Sequence, residues 1–179
     1  MIAAEKGLNF DRIYDAMTRN YDRAKDFPRS GFAAGPCLFK DTMQLAAFNR
    51  QNFSLGLSAM LINETMPDFL VDQVKRDYVL AGMQVGILGM AYKPNNDDKR
   101  ESLAFKLRKI LQYEGAQVMC ADPYIQGPEF VSTDTILSQC EIIFIGCPHS
   151  EYRDLDFGDR NVIDCWQFIS DGRELNEKA

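Results

Sequence analysis

The sequence predicts an α/β chain in which a helical segment is followed by a parallel-sheet unit. Two patterns and one punctuating residue predict it. Up to about residue 77 the apolar residues recur at helical spacing, whereas from residue 84 short apolar runs alternate with amphipathic stretches in the order β-α-β-α-β. Gly82 stands at the change. Such alternation places the strands parallel, joined by right-handed crossovers, as half of a doubly wound sheet.

The first clear helix follows Asn9, a plausible cap, with Phe10, Ile13 and Met17 on one face. Residues 21–40 are rich in turn formers, among them Pro28, Gly31, Gly35 and Pro36. A second helix is expected with Asp41 as N-cap and Met43, Leu45, Ala46 and Phe48 as its apolar content. Residues 55–76 carry Leu57, Leu61, Ile62, Phe69, Leu70 and Val74, with Pro67 either kinking that helix or starting a new one. Its more exposed part is a candidate subunit contact.

Beyond Gly82, a strand is expected at 84–90, then a helix beginning near Asp98 with Asp98 and Glu101 as its capping pair. Leu103, Leu107, Ile110 and Leu111 supply that helix's buried face and Gly115 its stop. A strand at 117–121, a short helix at 133–139, a strand at 141–146 and a strand ending near Asp164 complete the pattern. Residues 173–179 read as a frayed tail.

Composition narrows the class. The chain has 179 residues, 46% hydrophobic and 26% charged, which suits a globular protein with a real core. Its apolar runs are strand length, far short of a membrane span, and its start lacks the pattern of a signal peptide. The five cysteines form no C-x-x-C pair and mostly fall in or beside expected strands, as reduced thiols of a cytoplasmic protein would. A net charge of −6 without a basic run argues against nucleic acid as a partner.

The chemistry is concentrated in two places. In Gly31-Phe-Ala-Ala-Gly-Pro-Cys-Leu-Phe-Lys-Asp41, Gly35 permits a tight approach, Pro36 fixes its own φ, and Cys37 precedes a helix and a lysine. A helix N-terminus and a nearby cation both favour thiolate over thiol. The plain alternative is a small hydrophobe beside a turn. The other place is the loop after the first strand, where open α/β sheets bind ligands and where Tyr92 and Lys93 lie. Arg100, by spacing alone, is a solvated first-turn residue. His149, the only histidine, sits near a strand end, yet a structural hydrogen bond suits it better than a general-base role.

Residues 31–42, Gly-Phe-Ala-Ala-Gly-Pro-Cys-Leu-Phe-Lys-Asp-Thr, resemble the catalytic-cysteine motif of the UDP-glucose/GDP-mannose dehydrogenase family, in a form nearest its UDP-N-acetyl-D-mannosamine dehydrogenase branch. Residues 86–103, from Gly-Ile-Leu-Gly-Met-Ala-Tyr-Lys-Pro to Arg-Glu-Ser-Leu, are similar to the family's strand-loop-helix signature. Asp122-Pro123 and Cys147-Pro148-His149 fall where the family has comparable short motifs. The resemblance spans nearly the whole chain.

That resemblance implies a C-terminal half: a helical dimerisation segment at 1–77 carrying the cysteine, then a Rossmann-like UDP-sugar-binding domain at 78–179. The family's NAD-binding domain would lie upstream, with its catalytic lysine, asparagine and glutamate. Consistently, no G-x-G-x-x-G follows any expected strand. The implied activity is NAD-dependent oxidation of the C6 alcohol of a UDP-hexose, UDP-N-acetylmannosamine first, through a Cys37 thioester. The implied roles are Cys37 and Asp41 in catalysis, Lys40 and Arg100 toward NAD, and Tyr92 and Lys93 toward the UDP-sugar, with no metal. Where the glucose branch carries a substrate-contacting arginine, this chain has Cys165-Trp166, a departure that leans toward a 2-acetamido sugar. Within the family UDP-glucose 6-dehydrogenase remains the rival. A non-catalytic UDP-sugar-binding and dimerisation module is the alternative outside enzyme chemistry.

Overall fold

The computed structural model describes residues 1–50 and 52–169, so the tail expected at 173–179 lies outside the described residues. The helical part opens with α1 (Ile2–Glu5) and α2 (Phe10–Thr18). Asn9 caps α2 as expected, its Oδ1 accepting the Arg12 N–H at 3.0 Å. Next comes α3 (Leu38–Phe48), which begins earlier than its sequence suggests. Asp41 lies inside the first turn, not at the cap, because its N–H already donates to the Cys37 carbonyl at 2.8 Å. The cap position therefore belongs to Cys37. Pro67 starts a helix and does not kink one: α4 (Ser54–Glu64) ends before Thr65, and α5 (Met66–Val74) holds the proline in its first turn, where no helical N–H bond is lost.

Four strands, β1 (Gln84–Leu88), β2 (Gln117–Ala121), β3 (Ile142–Ile145) and β4 (Asn161–Ile163), form one parallel sheet in the order β2-β1-β3-β4. Between them lie α6 (Leu103–Tyr113), after β1, and α7 (Thr133–Gln139), after β2. Alternation along the strands divides the core in two. Val85, Ile87, Ile142 and Phe144 share a cluster with Leu103, Leu107 and Leu111 of α6 and with Leu70, Val71 and Val74 of α5. Leu88, Ile143 and Ile145 share the other with Ile136 of α7, Tyr152 and Phe157. Burial of each such isoleucine or leucine stabilises by roughly 1.5–3 kcal/mol relative to exposure.

The start of α6 corrects a second expectation. Asp98 and Glu101 do not cap it; Ser102 does, with its Oγ accepting the Ala104 N–H at 3.3 Å and donating to the Ala91 carbonyl at 3.1 Å. Glu101 has φ +55, outside the helical region. A cap that also ties the helix to the β1 loop outcompetes one that is only local. All four strands end on the same edge of the sheet, and the strand order reverses between β1 and β3. Ligands of open α/β sheets bind at that reversal, beyond the strand carboxyl ends.

Candidate functional site

The site begins with the strap that leads to Cys37. Phe32 is buried and meets the Trp166 ring edge-on at 5.8 Å, and a Cβ on Gly31 would stand only 2.1 Å from that indole. Asn63 of α4 grips Ala33 on both sides, accepting its N–H at 2.8 Å and donating to its carbonyl at 2.5 Å. Gly35, with φ +122, lies against the Tyr92 ring, to which a Cβ would come as near as 3.0 Å. A side chain there would be strained twice, by backbone and by contact. The strap thus delivers Cys37, exposed, to the N-terminus of α3 beside the β1 loop.

The β1 loop presents Tyr92, half-buried, with the Lys93 Nζ 5.4 Å from its ring centre. Asp98 clamps Arg100 with Oδ1 and Oδ2 and also accepts the Arg100 N–H at 3.0 Å. Those hydrogen bonds and the guanidinium charge hold the Asp98 carboxyl down at about 2. The same hydrogen bonds raise Arg100 above its ordinary value, with smaller electrostatic contributions from Tyr92 and from Cys37 across the gap. On α3, Lys40 and Asp41 pair with each other at 3.2 Å, both well exposed. Among the described residues neither makes an ion pair with the β1 loop.

The six residues singled out by sequence therefore fall into one contact and one neighbour. Cys37, Tyr92, Lys93 and Arg100 come together where the strap meets the β1 loop. Lys40 and Asp41 stand on the first turn of α3 that Cys37 begins. Sequence reasoning missed the parts that hold them: Asn63, Asp98 as a clamp, and Trp166 as an anchor whose indole N–H donates to the Ile145 carbonyl at 3.1 Å. Asn63 and Trp166 carry no local signal, because their partners are distant along the chain, whereas Asp98 lies two residues from Arg100 and reads from sequence as a helix cap.

Beneath the loop, His149 and Asp122 have no exposed side-chain surface. Asp122 Oδ2 accepts the N–H groups of Met90 at 2.6 Å and Ala91 at 3.1 Å, and Oδ1 those of Tyr124 at 2.8 Å and Ile125 at 3.0 Å. Burial alone would raise this carboxyl, but hydrogen bonds from His149, Met90 and Tyr124 outweigh it and hold it below its ordinary value. A structural hydrogen bond for His149 is thus what the geometry contains. Among the described residues no three His, Cys, Asp or Glu side chains gather as metal ligands, and no helix is long and apolar enough to cross a membrane. A cavity of about 770 Å³ lies elsewhere, lined by residues from 1–11, 28–30, 66–70 and 154–169, and none of the six candidate residues lines it.

Comparison with known proteins meets this geometry from outside. The family model "UDP-glucose/GDP-mannose dehydrogenase family, UDP binding domain" matches residues 86–177, which include the β1 loop, Asp122, His149 and Trp166. The chain is 27% identical over 182 residues to a UDP-N-acetyl-D-mannosamine dehydrogenase of Pyrococcus horikoshii, covering 98% of this chain and 43% of that protein. It is 30% identical over 161 residues to one of Methanocaldococcus jannaschii, covering 87% of this chain and 36% of that protein. The solved structure of a UDP-glucose dehydrogenase from Pyrobaculum islandicum superposes with a TM-score of 0.83 at 28% identity, covering 97% of this chain and 43% of that one. The chain spans less than half the length of each of these relatives. Fold, strand-end loop and family match agree, and the chain belongs to the UDP-glucose/GDP-mannose dehydrogenase family.

Proposed function

We propose that this chain is the cysteine-bearing and UDP-sugar-binding part of an NAD-dependent UDP-hexose 6-dehydrogenase whose substrate is UDP-N-acetylmannosamine. The observation that carries the reading is the seating of Gly35 on Tyr92, which leaves the exposed Cys37 thiol within electrostatic reach of Arg100. Tyr92 and Lys93 face the nucleotide sugar, the lysine as a point charge for phosphate or a donor to a polar edge. Trp166 in place of a substrate arginine, together with the two named mannosamine relatives, favours the 2-acetamido sugar. The Pyrobaculum islandicum likeness keeps UDP-glucose as the second reading.

The residues present fit one edge of NAD and not its cradle. In dinucleotide folds the N–H groups after the first strand receive the pyrophosphate, but here those of Met90 and Ala91 are taken by Asp122. Lys40 and Arg100, both exposed cations, would hold a cofactor phosphate through their side chains. A bound NAD would supply the hydride acceptor for the two oxidations at C6. The Cys37 sulfur would add to the C6 aldehyde, its proton passing to the aldehyde oxygen, and the resulting thiohemiacetal would become a thioester by losing its C6 hydrogen as hydride and its hydroxyl proton to water. Water then attacks that carbonyl, the C–S bond breaks, and the acid leaves with the thiol restored. Asp41, one helical turn from Cys37, orients that water and takes up its proton.

The helical unit at 1–77 pairs two copies of a cytoplasmic enzyme, and 78–179 holds the UDP-sugar. Exposed Phe48, Leu55, Leu61 and Ile62 on α3 and α4 supply an apolar face for that pairing. The test uses the longer enzyme that contains this chain, with NAD and either UDP-N-acetylmannosamine or UDP-glucose. Acid should form with the first sugar, Cys37→Ser should lower its rate by several orders of magnitude, and the 179-residue chain alone should make no NADH. Unchanged acid formation by Cys37→Ser would exclude the cysteine as nucleophile, and a preference for UDP-glucose would replace the substrate.

A further inference from the structure

His149 is buried, ionisable and unused by the chemistry above. Its Nδ1 accepts the Asn95 N–H at 2.9 Å, so the ring proton belongs on Nε2, which lies 3.1 Å from Asp122 Oδ2. Asn95 in turn uses its Oδ1 to accept the Ser150 N–H and hydroxyl, each at 3.0 Å. Asn95 has φ +55, a conformation that persists in a non-glycine residue when its surroundings hold it. The Tyr124 and Tyr152 rings flank the imidazole at 5.1 and 5.6 Å.

These bonds join three loops at the strand carboxyl ends. Asp122, after β2, grips the start of the β1 loop at Met90 and Ala91. His149, after β3, takes Asp122 on one nitrogen and the far side of the same loop on the other. Tyr92 and Lys93 lie between the two grips. We propose that His149 and Asp122 are positioning residues that set the Tyr92–Lys93 segment for ligand, with a neutral Nε2–H imidazole as the required form. The inference rests on the reading of Tyr92 and Lys93 as the nucleotide-sugar contacts, but its physical core is independent of any ligand.

The fit of groups explains why histidine serves here. The position needs an acceptor toward Asn95 and a donor toward Asp122, about a ring's width apart on one rigid side chain. Neutral imidazole offers both. Asparagine reproduces the acceptor at the Nδ1 position but falls short of Asp122, whereas glutamine reproduces the donor at the Nε2 position and presents no acceptor to Asn95. Asp122 must stay a carboxylate, since an amide at that site would turn a donor toward N–H groups.

His149 is the single histidine, so its ring nitrogens are read without ambiguity in the full chain by ¹⁵N NMR. The neutral Nε2–H tautomer is the expected spectrum at pH 7; an Nδ1–H tautomer or an imidazolium would overturn the proposal. His149→Gln should speed hydrogen exchange at the Asn95 amide about tenfold, the equivalent of one lost hydrogen bond, and leave Ile143 and Phe144 unchanged. His149→Asn should restore the Asn95 protection. With UDP as the probe, His149→Gln should weaken binding about tenfold and His149→Asn by much less. If both variants exchange like the native chain, or like each other, the positioning role fails. If the native chain shows no UDP response, stand-alone UDP binding by this chain fails, while tautomer and exchange still decide the role of His149.

Discussion

The helical first third and the sheet that follows it bury their apolar residues very differently. Through residue 64 the buried hydrophobics are Ala24, Phe32, Ala46 and Met60, while Phe48 is 88% and Leu55 82% exposed. In the sheet Val85, Ile87, Ile142, Ile143 and Phe144 have no exposure at all. The sheet covers its own apolar faces with α5, α6 and α7, whereas α3 and α4 leave theirs open. One part is stabilised from within, and the other leaves apolar surface open. Cys37 sits at the seam. Its strap gains its order from Trp166 and Tyr92 of the sheet unit as much as from Asn63 of the helices.

The largest effect that separates the two regions is a pair of truncations. Phe144→Ala should lower unfolding stability by roughly 3–5 kcal/mol, through lost burial and the cavity left behind. Phe48→Ala, in dilute chain, should change it by no more than about 0.5 kcal/mol. Denaturant melts at two protein concentrations check this, since a Phe48→Ala cost that grows with concentration would place that face between copies. A sizeable cost at every concentration would end the contrast.

A smaller effect tests the seam. Gly35→Ala forces a side chain into a backbone of φ +122 and against the Tyr92 ring, so it should cost roughly 1–3 kcal/mol. The loss should appear first as faster proteolysis of residues 31–37, with the sheet's amides still protected. If sheet and strap loosened together, the strap would be part of the sheet's cooperative unit.

The smallest effect is set by acid. Asp122 and Asp98 both have folded values below the ordinary one, so each stabilises fully above the unfolded carboxyl value of about 3.9 and loses that contribution as pH falls through the folded value. For Asp98 that folded value is about 2. Exchange at Met90, Ala91 and Tyr124, normalised for intrinsic rate, should be flat from pH 7 to 5 and rise only below the ordinary carboxylate range. A rise near neutrality would mean that some group other than Asp122 controls the loop.

What was legible in the sequence was whatever is decided within a few residues. The strand 117–121 and the helix 133–139 match their expected bounds because Gly115, Asp122-Pro123 and Ser132 punctuate them locally. Asn9 and Pro67 act through their own backbone neighbours and were readable for the same reason. The start of α6 was misread because a partner outside the helix chooses its cap: Ser102 prevails over Asp98 through the Ala91 carbonyl, and Asp98 is left to hold Arg100. The candidate residues Cys37, Lys40, Asp41, Tyr92, Lys93 and Arg100 were visible because their motifs are contiguous. That Gly35 rests on Tyr92, that Trp166 anchors Phe32, and that His149 joins Asp122 to Asn95 was not. Each of those pairs is separated by dozens of residues and meets only once parallel strands bring their carboxyl ends to one edge. Periodicity and capping are short-range physics, so they settle the elements; the mutual placement of loops depends on packing over the whole sheet, and only the tertiary structure decided it.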